Sequence, residues 1–391
     1  MNRVYMDANA TTPLAPEVFA VMRPWFTEHF GNASSIHFYG QRARAAVERA
    51  REQVAHLLGC RAAEVVFTSG GTESDNLALT GVLKPGDHLI TSSIEHHAVL
   101  HTAGRLRERG VEVTFLPVNP SGVVEPEEVR RALRPNTKLI SVMMANNEIG
   151  TLQPVAEIGA IAAEADVYFH TDAVQAVGKL PIDVAAIGCD LLSISGHKFH
   201  GPQGTGALYV RRGTHPEPLI FGGPQEHQRR AGTENLPGIV GLGDAAERAQ
   251  AFVAGDGPTR IAALRDRLEQ GILAHVEKAG VYGNGVPRVP NTANVWFDHL
   301  EGEALVIALD LKGLAVSGGS ACTSGAMDPS HVMMAMGVLP ERARASLRFS
   351  LDTHATDADV DFALKLVPEA IAHLRELSPM YRDTAAAGIP R

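Results

Sequence analysis

Short apolar runs alternate with amphipathic stretches over the first half of the chain. Residues 40–58 carry apolar side chains at helical spacing with charged residues between them, which predicts an amphipathic helix. Apolar runs rich in β-branched residues predict strands at 65–68, 88–92, 111–118, 138–145, 166–170, 190–194 and 206–210. Helical stretches separate several of these runs, at 73–83, 97–109, 125–134 and 155–165. Strands that alternate with helices predict a mostly parallel sheet covered on both faces.

The pattern changes near residues 250–260, which favours a second lobe. A long helical stretch follows at about 259–279, and a final helix is predicted around 356–376. Between them lie shorter strand-like pieces at 292–297, 314–317 and 346–351. This arrangement is typical of a smaller α+β lobe.

Composition excludes several classes of protein. The chain has 35 Lys and Arg against 44 Asp and Glu, a formal charge of −9, which argues against a broad nucleic-acid footprint. The three cysteines are far apart and form no C-x-x-C pair, so neither a disulfide framework nor a structural zinc site is expected. The first residues lack an apolar core of signal-peptide length, and no apolar run approaches the roughly 20 residues of a membrane span. We therefore expect a cytoplasmic protein that binds no membrane.

Polar segments follow five of the predicted strands. They are SGGTESDN (69–76), SIEHHAV (93–99), NNEIG (146–150), TDAVQ (171–175) and SGHKFHGPQG (195–204). Ligands of parallel sheets bind beyond the carboxyl ends of the strands. The sequence therefore predicts that these segments form one polar rim, and that the functional site lies there.

Lys198 is the strongest catalytic candidate on this rim. Most lysines are solvated surface charges, but Lys198 stands in a glycine-bounded turn after an apolar strand, among hydroxyl and imidazole groups. A lysine in such a place can lose its proton and attack an aldehyde. Asp172 can hold a pyridine nitrogen protonated, with Gln175 in reach of the same ring. An alternative role for Asp172 is to cap a helix.

Two further rim segments have both a functional and a structural interpretation. Gly70, Gly71 and Thr72 stand between a strand and a helix, where backbone N–H groups can approach a phosphate. The alternative is that Thr72 is a helix cap, with Asp75 completing a capping box. His96 can stack on an aromatic cofactor or transfer protons, whereas a metal site would use His96, His97 and His101. No cysteine or carboxylate cluster completes a zinc set there, so we expect no metal.

Two candidates lie in the second lobe. Cys322 stands in a stretch rich in Gly and Ser, VSGGSACTSGAMDPSHV (316–332), which predicts a mobile surface loop and favours a reactive thiol. Cys60 and Cys189 are expected to be buried and inert. Arg348 can bind a carboxylate through two parallel hydrogen bonds, although an ordinary surface ion pair is the simpler interpretation.

The motifs resemble those of the cysteine desulfurases of the class V aminotransferase group, in the NifS- and IscS-like branch with a long catalytic loop. The resemblance spans nearly the whole chain. It rests on YMDANATTP (5–13), FGNASSIH (30–37), FTSGGTESDN (67–76), EHHAV (95–99), NNEIG (146–150), HTDAVQ (170–175), SGHKFHGPQG (195–204), RRAGTEN (229–235), SGGSACTSG (317–325) and LRFSL (347–351).

The resemblance implies a type I fold of pyridoxal 5'-phosphate (PLP) enzymes. This α/β fold has a large domain with a seven-stranded, mostly parallel sheet, here 15–257, and a smaller α+β domain, here 1–14 and 258–391. Lys198 would hold the cofactor as a Schiff base and move the substrate's α-proton. His96 would stack on the ring, Asp172 would pair with its pyridine nitrogen, and Gln175 with its phenolate oxygen.

The resemblance also implies how the phosphate, the substrate and partners are held. The residues that would bind the phosphate are Gly71, Thr72, Ser195 and His197. Thr233 would reach the phosphate of the neighbouring subunit in a homodimer. Asn147 and Arg348 would hold the carboxylate of L-cysteine, and Cys322 would take its sulfur as a persulfide and leave L-alanine. A sulfur acceptor, such as an iron–sulfur scaffold protein, would be the partner.

Three alternatives remain open from the sequence alone. Selenocysteine lyase and transaminase activities use the same scaffold, but a transaminase has no use for a thiol on a mobile loop. The third alternative is a sulfur-relay scaffold whose main task is docking. The intact lysine, aspartate and glutamine set argues against a protein that has lost catalysis.

Overall fold

A computed structural model of the chain describes residues 3–318, 328–377 and 381. The strands within them are β1 (Val4–Tyr5), β2 (Val65–Thr68), β3 (His88–Ser92), β4 (Glu112–Leu116), β5 (Thr137–Ser141), β6 (Tyr168–Asp172), β7 (Leu191–Ser195), β8 (Gly206–Val210), β9 (Ala279–Val281), β10 (Thr292–Phe297), β11 (Leu314–Ala315), β12 (Ser317–Gly318) and β13 (Ser346–Ser350). The helices are α1 (Pro16–Met22), α2 (Pro24–Thr27), α3 (Phe38–Leu58), α4 (Gly71–Thr80), α5 (His97–Glu108), α6 (Pro126–Ala132), α7 (Val155–Glu164), α8 (Val184–Ile187), α9 (Leu236–Ala254), α10 (Gly257–His275), α11 (Gly302–Leu311), α12 (His331–Ala335), α13 (Pro340–Arg344) and α14 (Asp357–Leu377).

The central sheet has seven strands in the order β2-β8-β7-β6-β5-β3-β4. Only β8 runs antiparallel to its neighbours, so the predicted seven-stranded, mostly parallel α/β sheet is confirmed. The strand predicted at 138–145 ends at Ser141, although Val142 and Met144 still donate backbone hydrogen bonds to β6. The strand predicted at 166–170 continues to Asp172, which places this carboxylate on the last strand residue.

The sheet is buried on both faces because its side chains alternate between two apolar clusters. Val65 and Phe67 belong to one cluster, together with the apolar sides of α3 and α9. Val66, between them in β2, belongs to the opposite cluster with residues of α4 and α5. This two-sided burial explains why the strands are nearly continuous apolar runs in the sequence.

The second lobe confirms the predicted smaller α+β unit. Its sheet has four antiparallel strands in the order β12-β13-β10-β9. Strand β1 pairs in parallel with β11, so the N-terminal residues join this lobe. Val4 and Met6 pack in a cluster with apolar residues of α10, α11 and α14. The domain division at 15–257 stays a proposal, which this separate core supports.

Residues 7–12 connect the two lobes. Ala8 and Asn9 are tied to Ser350 in the second lobe, while Thr12 binds the carbonyl oxygen of His197 beyond β7. The segment therefore crosses the carboxyl edge of the central sheet. None of the helices in the described residues combines the length and the apolar character that a membrane span requires.

Candidate active site

A cavity of about 320 Å³ lies at the carboxyl ends of the central strands. Its walls are formed by Asn9, Ala10, Gly71, Thr72, Asp75, His96, Met143, Asn147, Asp172, Val174, Gln175, Ser195, His197, Lys198 and Arg348. All five polar segments predicted to form the rim contribute to these walls. The rim is confirmed, and ten of the twelve predicted site residues line one cavity.

Lys198 ends a short 3₁₀ turn, Gly196–Lys198, that directly follows β7. Its Nζ donates hydrogen bonds to the carbonyl oxygens of Asn9 at 2.6 Å and Ala10 at 2.8 Å. The crossing segment therefore holds the amine inside the cavity, and the interpretation of Lys198 as an ordinary surface charge is wrong.

Asp172 is buried at the end of β6. Its Oδ1 accepts a hydrogen bond from the backbone N–H of Val174 at 2.9 Å, and a turn rather than a helix follows, so the helix-cap alternative is wrong. Burial raises the pKa of Asp172 to about 6, against the lowering effects of this hydrogen bond and of Lys198. A buried carboxylate of this kind gains most from a further cationic or N–H partner inside the cavity.

His96 is held at the start of α5, where its Nδ1 accepts from the backbone N–H of Ala98 at 3.2 Å. Burial, and then the nearby Lys198 cation, lower its pKa to about 4. The ring is therefore a neutral imidazole at pH 7. Such a ring offers an uncharged face for stacking on an aromatic group in the cavity.

The opposite end of the cavity is built for an anion. Helix α4 begins at Gly71, and its N-cap is Gly70, whose φ of 152° favours glycine. Thr72 is therefore inside the helix and Asp75 is buried, so the proposed capping box is wrong. The backbone N–H groups of this first turn meet Ser195 and His197 in the same cavity wall, a donor set suited to a phosphate.

Arg348 lies in β13 with 2% of its surface exposed, so the surface ion-pair interpretation is wrong. Its Nη2 donates to Asp7 Oδ1 at 2.8 Å, and its Nη1 to the carbonyl oxygen of Asn147 at 3.0 Å. Its Nε has no partner among the described residues. A buried guanidinium with unused N–H groups at a cavity wall is suited to bind a carboxylate.

The sequence reasoning missed Asn9, which connects most of these groups. Its backbone carbonyl oxygen accepts from Lys198 and from Gln175 Nε2, and its Oδ1 accepts from Lys179 Nζ at 2.9 Å. Its Nδ2 donates to the carbonyl oxygen of Asn147. Asn9 lies in YMDANATTP (5–13), one of the motifs that carry the family resemblance. Nothing in the local sequence pattern indicates that this segment crosses the edge of the central sheet.

The sequence reasoning also missed Lys179, which lies four residues beyond Gln175. Its sequence neighbours are apolar, so nothing there indicates a functional site. It is buried, and its Nζ donates to Gln175 Oε1 at 2.6 Å. Burial, together with the Lys198 and Arg348 cations, lowers its pKa well below the ordinary value. The bond from Lys179 occupies Gln175 Oε1, so the orientation of the Gln175 amide is fixed.

The chain on both sides of residues 319–327 is anchored to segments that contribute residues to the cavity wall. Before them, Ser317 in β12 pairs with Arg348. After them, the Ser330 hydroxyl donates to the buried carboxylate of Glu148, and His331 Nε2 contacts the carbonyl oxygen of Glu95 at 3.0 Å. The predicted nucleophile Cys322 lies outside the described residues. Cys189 is buried as predicted, whereas Cys60 is only partly buried. Desolvation raises the pKa of each of these two thiols to about 12.

Two further predictions concern Thr233 and the metal set of His96, His97 and His101. Thr233 is exposed and does not line it, although its segment is tied to α4 by the ion pair of Arg230 with Glu73 at 3.0 Å. His97 stacks on His101 and faces His331, whereas His96 caps α5. The described residues therefore do not bring His96, His97 and His101 together as a ligand set.

The chain belongs to the class-V aminotransferase family, whose model matches residues 4–362. A curated relative, the cysteine desulfurase IscS of Methanosarcina thermophila, is 52% identical over 381 residues, which cover 96% of this chain and 94% of the relative. Among solved structures, a NifS-like protein matches with a TM-score of 0.88 and 38% identity, over 95% of this chain and 100% of its own. SspA in complex with cysteine matches with a TM-score of 0.80 and 39% identity, over 90% of this chain and 100% of its own.

Enzymes of this family use PLP, and the cavity fits that group. A lysine amine, a buried carboxylate, a neutral imidazole and a helix N-terminus lie around one volume of about 320 Å³. These groups complement an aldehyde, a pyridine nitrogen, an aromatic face and a phosphate, respectively. The chemistry of the donor set therefore agrees with the cofactor of the family.

Proposed function

We propose that the protein is a cysteine desulfurase, which removes the sulfur of L-cysteine and releases L-alanine. One observation carries the proposal: the chain on both sides of residues 319–327 is anchored beside a cavity that holds Lys198 and Arg348. Cys322 is four residues beyond Gly318 in the sequence. We assign the thiol in the segment between these two anchors as the group that meets a substrate bound at Arg348. The names of the relatives support the same activity.

We assign the cofactor contacts by the chemistry of the cavity. Lys198 would bind the aldehyde carbon, Asp172 the pyridine nitrogen and Gln175 the phenolate oxygen, with His96 on the ring face. The phosphate would be held by Gly71, Thr72, Ser195 and His197. When bound, the cofactor supplies an electron sink for charge at the substrate's α-carbon.

The chain's own residues then act on the substrate. Arg348 and Asn147 would hold the carboxylate of L-cysteine, which fixes its α-carbon near Lys198. The Lys198 amine is the base for the α-proton, because it is the amine that the crossing segment places inside the cavity. The thiolate of Cys322 attacks the substrate Sγ, and the substrate Cβ–Sγ bond breaks. The sulfur remains on Cys322 as a persulfide, and the three-carbon product leaves as L-alanine after protonation.

The test is the Cys322→Ala variant of the holoenzyme. We expect it to retain the visible absorption of the bound cofactor and to change that absorption on adding L-cysteine, because cofactor and substrate contacts are intact. Sulfide release, assayed with an added reducing thiol that cleaves the persulfide, should fall almost to zero. In the wild type, mass spectrometry should find an added sulfur atom on Cys322 and not on Cys60 or Cys189.

The matched control is Cys60→Ala, which removes a thiol outside the cavity and should leave sulfide release unchanged. Wild-type sulfide release by Cys322→Ala would contradict the proposal and favour a general lyase or transaminase on the same scaffold. Partial activity of Cys322→Ala on selenocysteine is expected under the proposal, because selenium leaves more easily than sulfur without a thiolate attack. Wild-type activity on selenocysteine and not on L-cysteine would favour a selenocysteine lyase.

A persulfide needs an acceptor, and we propose a sulfur-acceptor protein such as an iron–sulfur scaffold. Both the acceptor and a cytoplasmic location remain predictions from the sequence. Transfer of labelled sulfur from the wild type, and not from Cys322→Ala, to an added scaffold protein would support the acceptor. The absence of transfer to any scaffold protein would contradict it.

We further propose a homodimer in which Thr233 reaches the phosphate of the partner subunit. Two observations support it: Thr233 lies outside the cavity of its own chain, and Phe30, Ile36, Phe38 and Phe221 expose large apolar surfaces. A second copy of the chain would cover such surfaces through a two-fold interface. We expect a dimer in sedimentation and weaker PLP retention in Thr233→Ala. A fully active, PLP-loaded monomer would contradict this proposal.

A further inference from the structure

Three side chains outside the cavity converge between the two lobes. His200 lies two residues after Lys198, in the large lobe, and Asp352 and His354 lie in the turn after β13, which carries Arg348. One ligand atom from each of the three lies within 4.8 Å of the others. In the part of the chain that the structure describes, no other set of three or more histidine, cysteine or carboxylate groups comes this close together.

The surroundings of His200 fix which ring nitrogen carries the proton. Nδ1 lies 3.1 Å from the carbonyl oxygen of Pro13, an acceptor, so Nδ1 is the donor. The lone pair of a neutral ring is then on Nε2, which is 2.8 Å from Thr353 Oγ1 and 3.6 Å from Asp352 Oδ1. Metal-binding histidines are typically held in this way, with the other N–H donated to a carbonyl or carboxylate group.

The backbone also holds His200 in an uncommon conformation. Its φ is 64°, in the left-handed region that is uncommon for residues other than glycine. Its N–H donates to Thr12 Oγ1 at 2.8 Å, which anchors the residue to the crossing segment. Contacts of the His200 backbone with Thr12 and of its ring with Pro13 and Thr353 therefore fix the position of the ring.

The carboxylate of Asp352 is only partly satisfied. Its Oδ1 accepts from the backbone N–H of His354 at 2.8 Å, but Oδ2 is buried and has no partner among the described residues. The ring of His354 is exposed, with its centroid 5.2 Å from that of His200. Asp352 Oδ1 is the carboxylate oxygen that lies near His200 Nε2, at 3.6 Å, and the exposed ring of His354 leaves a side open for water.

We propose that His200, Asp352 and His354 form a binding site for a divalent transition metal ion of the zinc type. Two imidazoles and one carboxylate are a ligand set that such ions bind, with water completing the coordination. The ion would connect the segment that carries Lys198 to the turn beyond Arg348, and so fix the two lobes relative to each other. The site does not depend on the proposed desulfurase activity.

The experiment measures Zn²⁺ binding to the full-length holoenzyme after removal of metals with a chelator. The protein carries Cys322→Ser, so that this thiol does not bind the ion. Equilibrium dialysis should give one Zn²⁺ per chain, and Zn²⁺ at about 100 times its Kd should raise the midpoint of thermal unfolding. His354→Ala should weaken binding by about 100-fold or more and remove the thermal shift, and Asp352→Asn should weaken binding in the same direction.

His101→Ala is the matched control, because His101 belongs to a separate group of histidines with His97 and His331. Unchanged Zn²⁺ binding in this control, with loss in His354→Ala, would support the site. Three results would overturn it: no Zn²⁺ bound to the parent protein, undiminished binding in His354→Ala, or loss of binding in His101→Ala. The last result would assign the ion to the other histidines.

Discussion

The cavity has two walls that are built differently. On the wall from the central sheet, Asp172 and His96 stand at a strand end and a helix start, and each is fixed by a backbone N–H two residues away. On the wall from the second lobe, Arg348 is positioned by Asp7 and by the carbonyl oxygen of Asn147, which are more than 200 residues away in sequence.

The difference predicts separate consequences for the two walls. A local hydrogen bond forms whenever its strand or turn forms, so the positions of Asp172 and His96 depend on the central sheet alone. The second wall exists only when the crossing segment, the turn at 146–150 and β13 meet. Substitutions in the first wall should change the reactivity of the bound cofactor. Substitutions in the second wall should change the affinity for the substrate.

The largest effect is expected at Lys198, where the two walls meet at Asn9. Lys198→Ala removes the proposed base and should lower the rate of sulfide release by about 10³-fold or more. The phosphate contacts are intact, so part of the cofactor should remain bound after gel filtration. Release of sulfide in the presence of an added reducing thiol measures the first effect, and the absorption of bound cofactor measures the second.

Lys179→Met is the matched control for Lys198→Ala. It also removes an amine that binds Asn9, but Lys179 is not among the residues that line the cavity. We expect a much smaller loss of rate and a shift in the absorption of the bound cofactor, since Gln175 loses the donor that orients its amide. Normal turnover by Lys198→Ala would refute its assignment as the base.

A smaller effect is expected at Arg348, in the second wall. Arg348→Ala should raise the KM for L-cysteine by about 30- to 150-fold, because losing a bidentate, charge-assisted contact costs about 2–3 kcal/mol. The absorption of the cofactor without substrate should be unchanged. Arg348→Lys keeps the charge but not the planar fork, so it should restore only part of the affinity. An unchanged KM in both variants would show that Arg348 has only a structural role.

The sequence predicted the first wall well and the second only through the family resemblance. Asp172, His96 and Lys198 follow apolar strands, and strand ends are visible as a change from apolar to polar residues. Arg348 stands within a strand-like run, and nothing local indicates that β13 faces the cavity. Its surface ion-pair interpretation failed because burial depends on contacts with residues 7 and 147.

The contacts between buried polar side chains could not be predicted from the local sequence either. Glu148 belongs to the recognised NNEIG segment, but its bond to Ser330 joins residues 182 positions apart. Lys179 has no polar neighbours in sequence, and only the fold brings it to Asn9 and Gln175. Such contacts form when both lobes pack against one segment of the chain. The spacing of apolar and polar residues in the sequence does not predict them.

The smallest effect on turnover is expected at Glu148, which anchors the chain after residues 319–327. Burial raises the pKa of this carboxyl group from 4.5 to about 7, while the Ser330 hydrogen bond and Arg348 lower it less. The folded protein therefore keeps this proton to a higher pH than the unfolded chain does. The contribution of Glu148 to stability must fall as pH rises from about 4.5 to about 7, and it stays at its lowest value above that.

Glu148→Gln removes this titration and keeps an oxygen that can accept from Ser330. The midpoint of thermal unfolding of the variant, minus that of the wild type, should therefore rise between pH 5 and pH 8. The corresponding difference in the free energy of unfolding is on the order of 3 kcal/mol at most. The other buried carboxyl groups are the same in both proteins, so their titration cancels in the difference. A difference that does not change between pH 5 and pH 8 for Glu148→Gln would mean that Glu148 is already ionised at pH 5 in the folded protein.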